Sequence, residues 1–214
     1  MIAEVQAIIS DAVLNTPASV YTLSSNTTLG NRLVFMTLHT YAGCPPSISD
    51  NRSNSYTTHT NGVAIKSGGP FLWVWSAEVT TAGSTTISVP FNCGYLWNAY
   101  CAELSGVDHA TPFFGSSYAQ DFTSPFNAGA GVSVTVAGAF GVALTLADVT
   151  PTPSTGWTAR GVATPTREIL TAANVAVGTL NTGFTGAATE MSLGMAVFQS
   201  TASSTAFRPY YITG

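Results

Sequence analysis

Charge is what this sequence has least of. Of 214 residues, 7% are Asp, Glu, Lys or Arg, against about a quarter in an ordinary soluble domain. Six basic and ten acidic residues leave a net charge of −4, and Lys66 is the sole lysine. There is no basic run, which argues against nucleic acid as a direct partner, because neutralising phosphates takes clustered Lys or Arg. No window approaches the roughly 18 consecutive apolar residues of a membrane span, so no membrane partner is expected. The opening MIAEVQAIISDAVLN lacks a basic n-region and a continuous apolar run. It does not read as a signal peptide, and synthesis in the cytoplasm is expected.

The chemistry-bearing residues are also sparse. Three cysteines, Cys44, Cys93 and Cys101, are an odd number and no secreted disulfide framework. Cys93 and Cys101 could face each other across the turn at 91–97; in a reducing compartment they read instead as two small buried hydrophobes. The histidines, His39, His59 and His109, have no metal-ligand spacing. No metal and no cofactor are expected. Glycoside hydrolysis needs two carboxylates across a cleft, and Glu78, Glu103 and Asp108 are the best candidates. Each reads more simply as a satisfied structural carboxylate, so no catalytic residue is assigned and an enzyme is not expected. Asp50, Asp108 and Asp148 do not sit in a calcium loop. The sequons at Asn26 and Asn51 carry no weight without a secretion signal.

What is present is strand-forming. Gly, Ser, Thr, Val and Ala dominate, the composition of a sandwich or barrel. Residues 71–104 hold three of the four tryptophans (Trp73, Trp75 and Trp97) in three strand-like runs. The first alternates Phe71, Trp73, Trp75, Ala77 and Val79 against Leu72, Val74, Ser76 and Glu78. The second sets Ile87, Val89 and Phe91 against Thr86, Ser88 and Pro90. The third sets Leu96, Tyr100 and Leu104 against Trp97, Ala99 and Cys101. Together they predict an antiparallel core sheet. Residues 32–40 form another long apolar strand. Residues 131–137 and 140–146, separated by Gly138, predict a hairpin, and 157–162 with 167–171 a strand pair.

About eleven strand candidates at regular spacing predict a single all-β domain, a jelly-roll-like antiparallel β-sandwich over 19–199. Residues 1–18 are read as an N-terminal arm or short helix, because Ile2, Val5, Ile8 and Ile9 share a helical stripe. Residues 200–214 are read as a C-terminal tail. Residues 113–128 look like a long surface loop with a heavy aromatic load.

Those aromatics are the candidate contacts. A roughly 9,000 Å² monomer surface is poorly covered by so few charges, which suits a permanently assembled subunit. Phe113, Phe114, Tyr118, Phe122 and Phe126, with Phe207, Tyr210 and Tyr211 of the tail, are candidate interface residues. The alternative for the loop rings is that they cover an open edge of the domain's own core. For a carbohydrate-binding reading, Tyr118 and Trp157 are the candidate stacking residues.

Several elements then carry a resemblance. They are Gly30-Asn31-Arg32-Leu33-Val34, Ile48-Ser49-Asp50-Asn51, Asn54-Ser55-Tyr56-Thr57, Trp75-Ser76-Ala77, the run 83–89, and Glu103-Leu104-Ser105-Gly106-Val107-Asp108. Over roughly residues 19–199 the chain resembles a family of jelly-roll-like domains found in tailed-phage virion proteins and as modules of bacterial surface proteins. The resemblance implies that residues 50–55 form a hairpin and that Glu103 and the 105–108 turn end a core strand. It also implies a structural, adhesive or carbohydrate-binding role. A stand-alone chain fits a capsid decoration or cement protein, located in the virion, with the major capsid protein as partner and a homo-oligomer, a trimer, at local three-fold axes. The alternative is a receptor- or carbohydrate-binding module of a fibre, spike or bacterial surface protein.

Overall fold

The computed structural model describes residues 1–11, 19–39, 47–65, 70–90, 96–121, 126–127, 131–147, 152–160, 167–181, 183–185 and 191–201. Among them there is no helix. The strands are β1 (Ala3–Asp11), β2 (Ser19–Thr27), β3 (Arg32–His39), β4 (Ser49–Asp50), β5 (Tyr56–Ala64), β6 (Phe71–Glu78), β7 (Gly83–Val89), β8 (Leu96–Ser105) and β9 (Phe113–Asp121). They continue as β10 (Phe126–Asn127), β11 (Val132–Val134), β12 (Ala139–Ala147), β13 (Thr152–Pro153), β14 (Thr158–Ala159), β15 (Arg167–Val175), β16 (Gly178–Leu180), β17 (Gly183–Thr185) and β18 (Met191–Phe198). All pairings are antiparallel.

The fold is a stack of sheets with three apolar layers between them. A central sheet, ordered β1-β8-β3-β6-β5, lies between a three-stranded sheet β2-β7-β4 and a second five-stranded sheet β14-β15-β12-β18-β9. Leu33, Phe35, Trp73, Trp75 and Cys101 face Tyr21, Leu23, Ile87 and Val89 on one side of the central sheet. Val34, Met36, Leu38, Leu72, Val74 and Tyr100 face Phe140, Val142, Leu144, Ala196 and Phe198 on the other. A third layer covers the far side of the second sheet, where Ala143, Leu170, Leu193, Met195 and Val197 meet Val132, Val134 and Trp157. This is why β3 and β6 read as nearly continuous apolar runs: both of their faces are buried.

Several expectations change. The three runs in 71–104 are strands, but they do not share a sheet. β7 pairs with β2 and β4 and packs across the apolar layer from β6, while β3 separates β6 from β8. Residues 3–11 are a strand paired with β8, not an arm or short helix. Ile8 packs against one layer and Ile9 against the other, so a strand with apolar residues on both faces imitates a helical stripe. A register shift between Glu4 and Gln6 adds to the illusion. Residues 12–18 lie outside the described residues.

Residues 113–121 are a strand, not a loop, and Phe113 and Phe114 enter different apolar layers. β11 and β12 form no hairpin, since β11 pairs with β16. β14 and β15 do pair, as expected. The 51–55 turn is no hairpin either; it carries the chain from the small sheet to the central one.

Candidate functional site

Two features stand apart from ordinary core packing. The first is a polar cluster where the central and second sheets meet. Arg32 opens β3 and Ser76 and Glu78 close β6, all on the face towards the second sheet. Arg32 is buried and donates from Nη1 to Ser76 Oγ at 3.2 Å. Ser76 Oγ lies 2.7 Å from His59 Nε2. The Ser76 hydroxyl can share this bond with a neutral imidazole in either direction, according to the tautomer. Burial, and then the charge of Arg32, depress the His59 pKa to about 4, which keeps the imidazole neutral. The imidazole also stacks on Phe113, with centroids 4.4 Å apart.

At the rim, His109 Nδ1 sits 3.1 Å from Glu78 Oε2, and Arg32 Nη2 reaches that oxygen at 4.0 Å. A serine beside a neutral imidazole has the outline of a nucleophile and base. Ser76 nevertheless has no exposed surface, and the nearby carboxylate serves His109 rather than His59. As folded, the arrangement ties β3, β5, β6 and the 106–112 turn together.

The candidate carboxylates fall apart geometrically. Glu103 stands opposite Leu33, on the face towards the small sheet, whereas Glu78 stands opposite Arg32 on the other face. The sheet itself lies between them, so they cannot flank one glycosidic bond. Glu103 is fully buried and accepts from Gln6 Nε2 at 2.6 Å, Asn31 Nδ2 at 2.6 Å and the Thr28 amide at 2.8 Å. Asp108 accepts from the Ala110 and Thr111 amides; the Thr111 amide first, then its hydroxyl and the Ala110 amide, hold its carboxyl below the usual range.

Asp50 accepts from the Arg52 and Asn54 amides, Asn54 Nδ2 and the Tyr56 hydroxyl. Asn54 Oδ1 in turn accepts from the Thr80 amide and hydroxyl. Both motifs singled out in the sequence are therefore hydrogen-bond hubs at turns. Arg32, Ser76 and Gln6 were not legible as members of these clusters, because isolated polar residues in apolar strands carry no spacing signal.

The second feature is the outer face of the β2-β7-β4 sheet. Val20, Thr22, Asn26, Ser84 and Ser49 are exposed there and Thr86 and Ser88 half-buried, while Tyr21, Leu23, Ile87 and Val89 point inward. Thr22 and Thr86 pair directly, their hydroxyls 3.1 Å apart. These seven residues carry no charge.

The candidate aromatics separate. Phe113 and Phe114 are half-buried against the core. Tyr118 is 43% exposed on the edge strand β9. Trp157 is buried, and its indole N–H donates to the Asn181 carbonyl at 3.0 Å, so its ring is not offered for stacking on a sugar. Phe126 lies in β10, but its side chain, like Phe122, Phe207, Tyr210 and Tyr211, lies outside what the structure describes. So does Cys93; Cys101 is a free, buried thiol that desolvation pushes up to about 12. Among the described residues no group of His, Cys, Asp or Glu could hold a metal ion. Comparison with protein-family models, curated proteins and solved structures finds no match to this chain.

Proposed function

We propose that this protein is a structural component of a tailed-phage virion, a capsid decoration or cement protein made in the host cytoplasm. It would stabilise the head through contacts with the major capsid protein. The observation that carries the reading is the uncharged outer face of the β2-β7-β4 sheet, in a chain with 7% charged residues. A Ser/Thr/Asn-rich face desolvates at far lower cost than a charged one, which suits a lasting protein contact. A trimer, placed on local three-fold axes, is the proposed assembly.

The strand orders support a jelly-roll reading of the first eight strands. A jelly roll interlocks two Greek keys in two sheets, and β1-β8-β3-β6 opposite β2-β7-β4 has that interleaving. β5, which would complete the smaller sheet beside β4, pairs with β6 instead. On this reading the jelly roll spans 3–105, and the later strands are a covering built onto one of its faces.

Quantifying the chain against the major capsid protein in purified virions tests the proposal. A fixed ratio with tens to hundreds of copies supports it. A few copies per particle would shift the role to a vertex, tail or fibre, where exposed Tyr118 would favour the receptor- or carbohydrate-binding alternative. Absence from particles would end the virion reading.

A further inference from the structure

The chain holds one Asn-Gly step, Asn61-Gly62, and the fold places it at an irregularity. β5 is the outer strand of the central sheet. Its pairing with β6 runs Asn61 opposite Trp73 and then Val63 opposite Leu72, so Gly62 is an extra residue without a ladder partner. Its φ of +62° is the left-handed conformation of a glycine in a β-bulge. A Cβ here would lie 2.4 Å from the Trp73 ring. The buried tryptophan therefore demands glycine at 62, while Asn61 is exposed.

We propose that Asn61-Gly62 is a site of spontaneous covalent modification in the folded protein: deamidation to aspartate and isoaspartate. The Gly62 amide nitrogen loses its proton to solvent base and attacks Asn61 Cγ. The Cγ–N bond breaks, ammonia leaves, and a five-membered succinimide remains. Water then opens either carbonyl of the ring. Net, one amide and one water become one carboxylate and one ammonium, with no oxidant or reductant. Three features favour the step. Glycine presents no side chain to hinder the attacking nitrogen. The bulge frees Gly62 from ladder pairing. The asparagine is open to solvent.

The isoaspartate product lengthens the β5 backbone by one methylene beside Trp73 and adds a negative charge. Its neighbour Thr60 donates to Ser116 Oγ at 3.0 Å, which joins β5 to β9 at the lateral seam of the two large sheets. Modification at 61 thus acts on that seam, and protein age becomes readable there.

The test incubates the full folded chain and the same chain in concentrated urea, at mildly alkaline pH and 37 °C. Peptide mapping then follows residue 61, and isoaspartyl methyltransferase labelling reports the isomer. Expected is conversion at 61 in the folded protein at a rate comparable with the unfolded chain, while Asn54 and Asn98 stay intact in the folded protein. Asn61→Gln, which keeps the glycine, should abolish the labelling and leave the fold's thermal midpoint unchanged. Conversion in urea with none in the folded protein would overturn the proposal, since the bulge would then be protective. Labelling that persists in Asn61→Gln would overturn the assignment to this residue.

Discussion

His59 stacks on Phe113 across the junction of the two large sheets, with ring centroids 4.4 Å apart and planes 23° from parallel. The imidazole is packed as an aromatic on one side and hydrogen-bonded on the other, where Ser76 lies at 2.7 Å. Both roles suit the neutral ring, and protonation puts a second cation next to buried Arg32.

A pH dependence follows. The unfolded histidine titrates near 6.5 and the folded one near 4, so the unfolded chain binds the extra proton in that window. The contribution of neutral His59 is fully present above about pH 6.5 and is lost as pH falls towards about 4. Arg32 is the charged group that acts on it; Glu78 and Asp108 act on Arg32 in turn, and His109 pairs with Glu78. Urea midpoints measured from pH 7 to pH 4.5 should fall less steeply for His59→Gln than for the parent. Equal slopes would remove His59 as the cause.

Glu103→Gln should destabilise by about 1–3 kcal/mol, because an amide facing three donors leaves one of them buried and unpaired. Glu78→Gln, at a half-exposed ion pair, should change stability by about 0.5 kcal/mol or less. Urea denaturation at pH 7 separates the two. Equal effects would mean that the burial of Glu103 matters less than its hydrogen bonds suggest.

Gly194 in β18 has no room for a methyl group. A Cβ there would sit 2.8 Å from one Leu72 methyl and 3.1 Å from a Leu38 methyl. Gly194→Ala should cost about 1–3 kcal/mol by overpacking, and Leu72→Ala about 2–5 kcal/mol through its cavity. The double variant should be less destabilised than the sum, since one change fills the space the other empties. Strict additivity in thermal melts would contradict this packing.

Asn54→Ala removes the acceptor of the Thr80 amide and hydroxyl and a donor to Asp50. A loss of about 0.5–1.5 kcal/mol is expected from the lost hydrogen bonds, since water still reaches exposed Thr80 and half-buried Asp50. Its readout is the urea midpoint, with exposed Asn26→Ala as the near-neutral comparison.

Charges placed on the small sheet's outer face, Thr22→Lys with Ser88→Lys, should leave stability within about 0.5 kcal/mol per site yet abolish rebinding to stripped particles. Rebinding at full strength would move the proposed contact elsewhere.

The sequence reveals the strands better than their partners. FLWVWSAEV reads as a strand with two apolar faces, and both faces are buried. Nothing in its pattern says that one face meets β7 and the other β12 and β18. Those contacts join residues far apart in the chain, and periodicity is local. The same limit hid β1, where apolar residues on both faces mimic a helix, and β9, whose Phe113-Phe114 pair looks like a loop until each ring has a layer to enter. Glu103 was legible as a structural carboxylate beside core positions. Its partner Gln6 was not, because the two are joined only by the pairing of β1 with β8.

The doubly covered central sheet also constrains the order of events during synthesis. When residue 105 has left the ribosome, β1 to β8 can pair, and Phe35, Trp73 and Trp75 can be covered by the small sheet. Met36, Leu38, Leu72, Val74 and Tyr100 stay bare until β12 and β18 arrive, and β18 ends at Phe198. The nascent chain thus carries a wide greasy wall for some ninety codons, at about 5–20 residues per second. Early release of the chain, by a truncation or a stop, would hand that wall to the next chain rather than to its own second half.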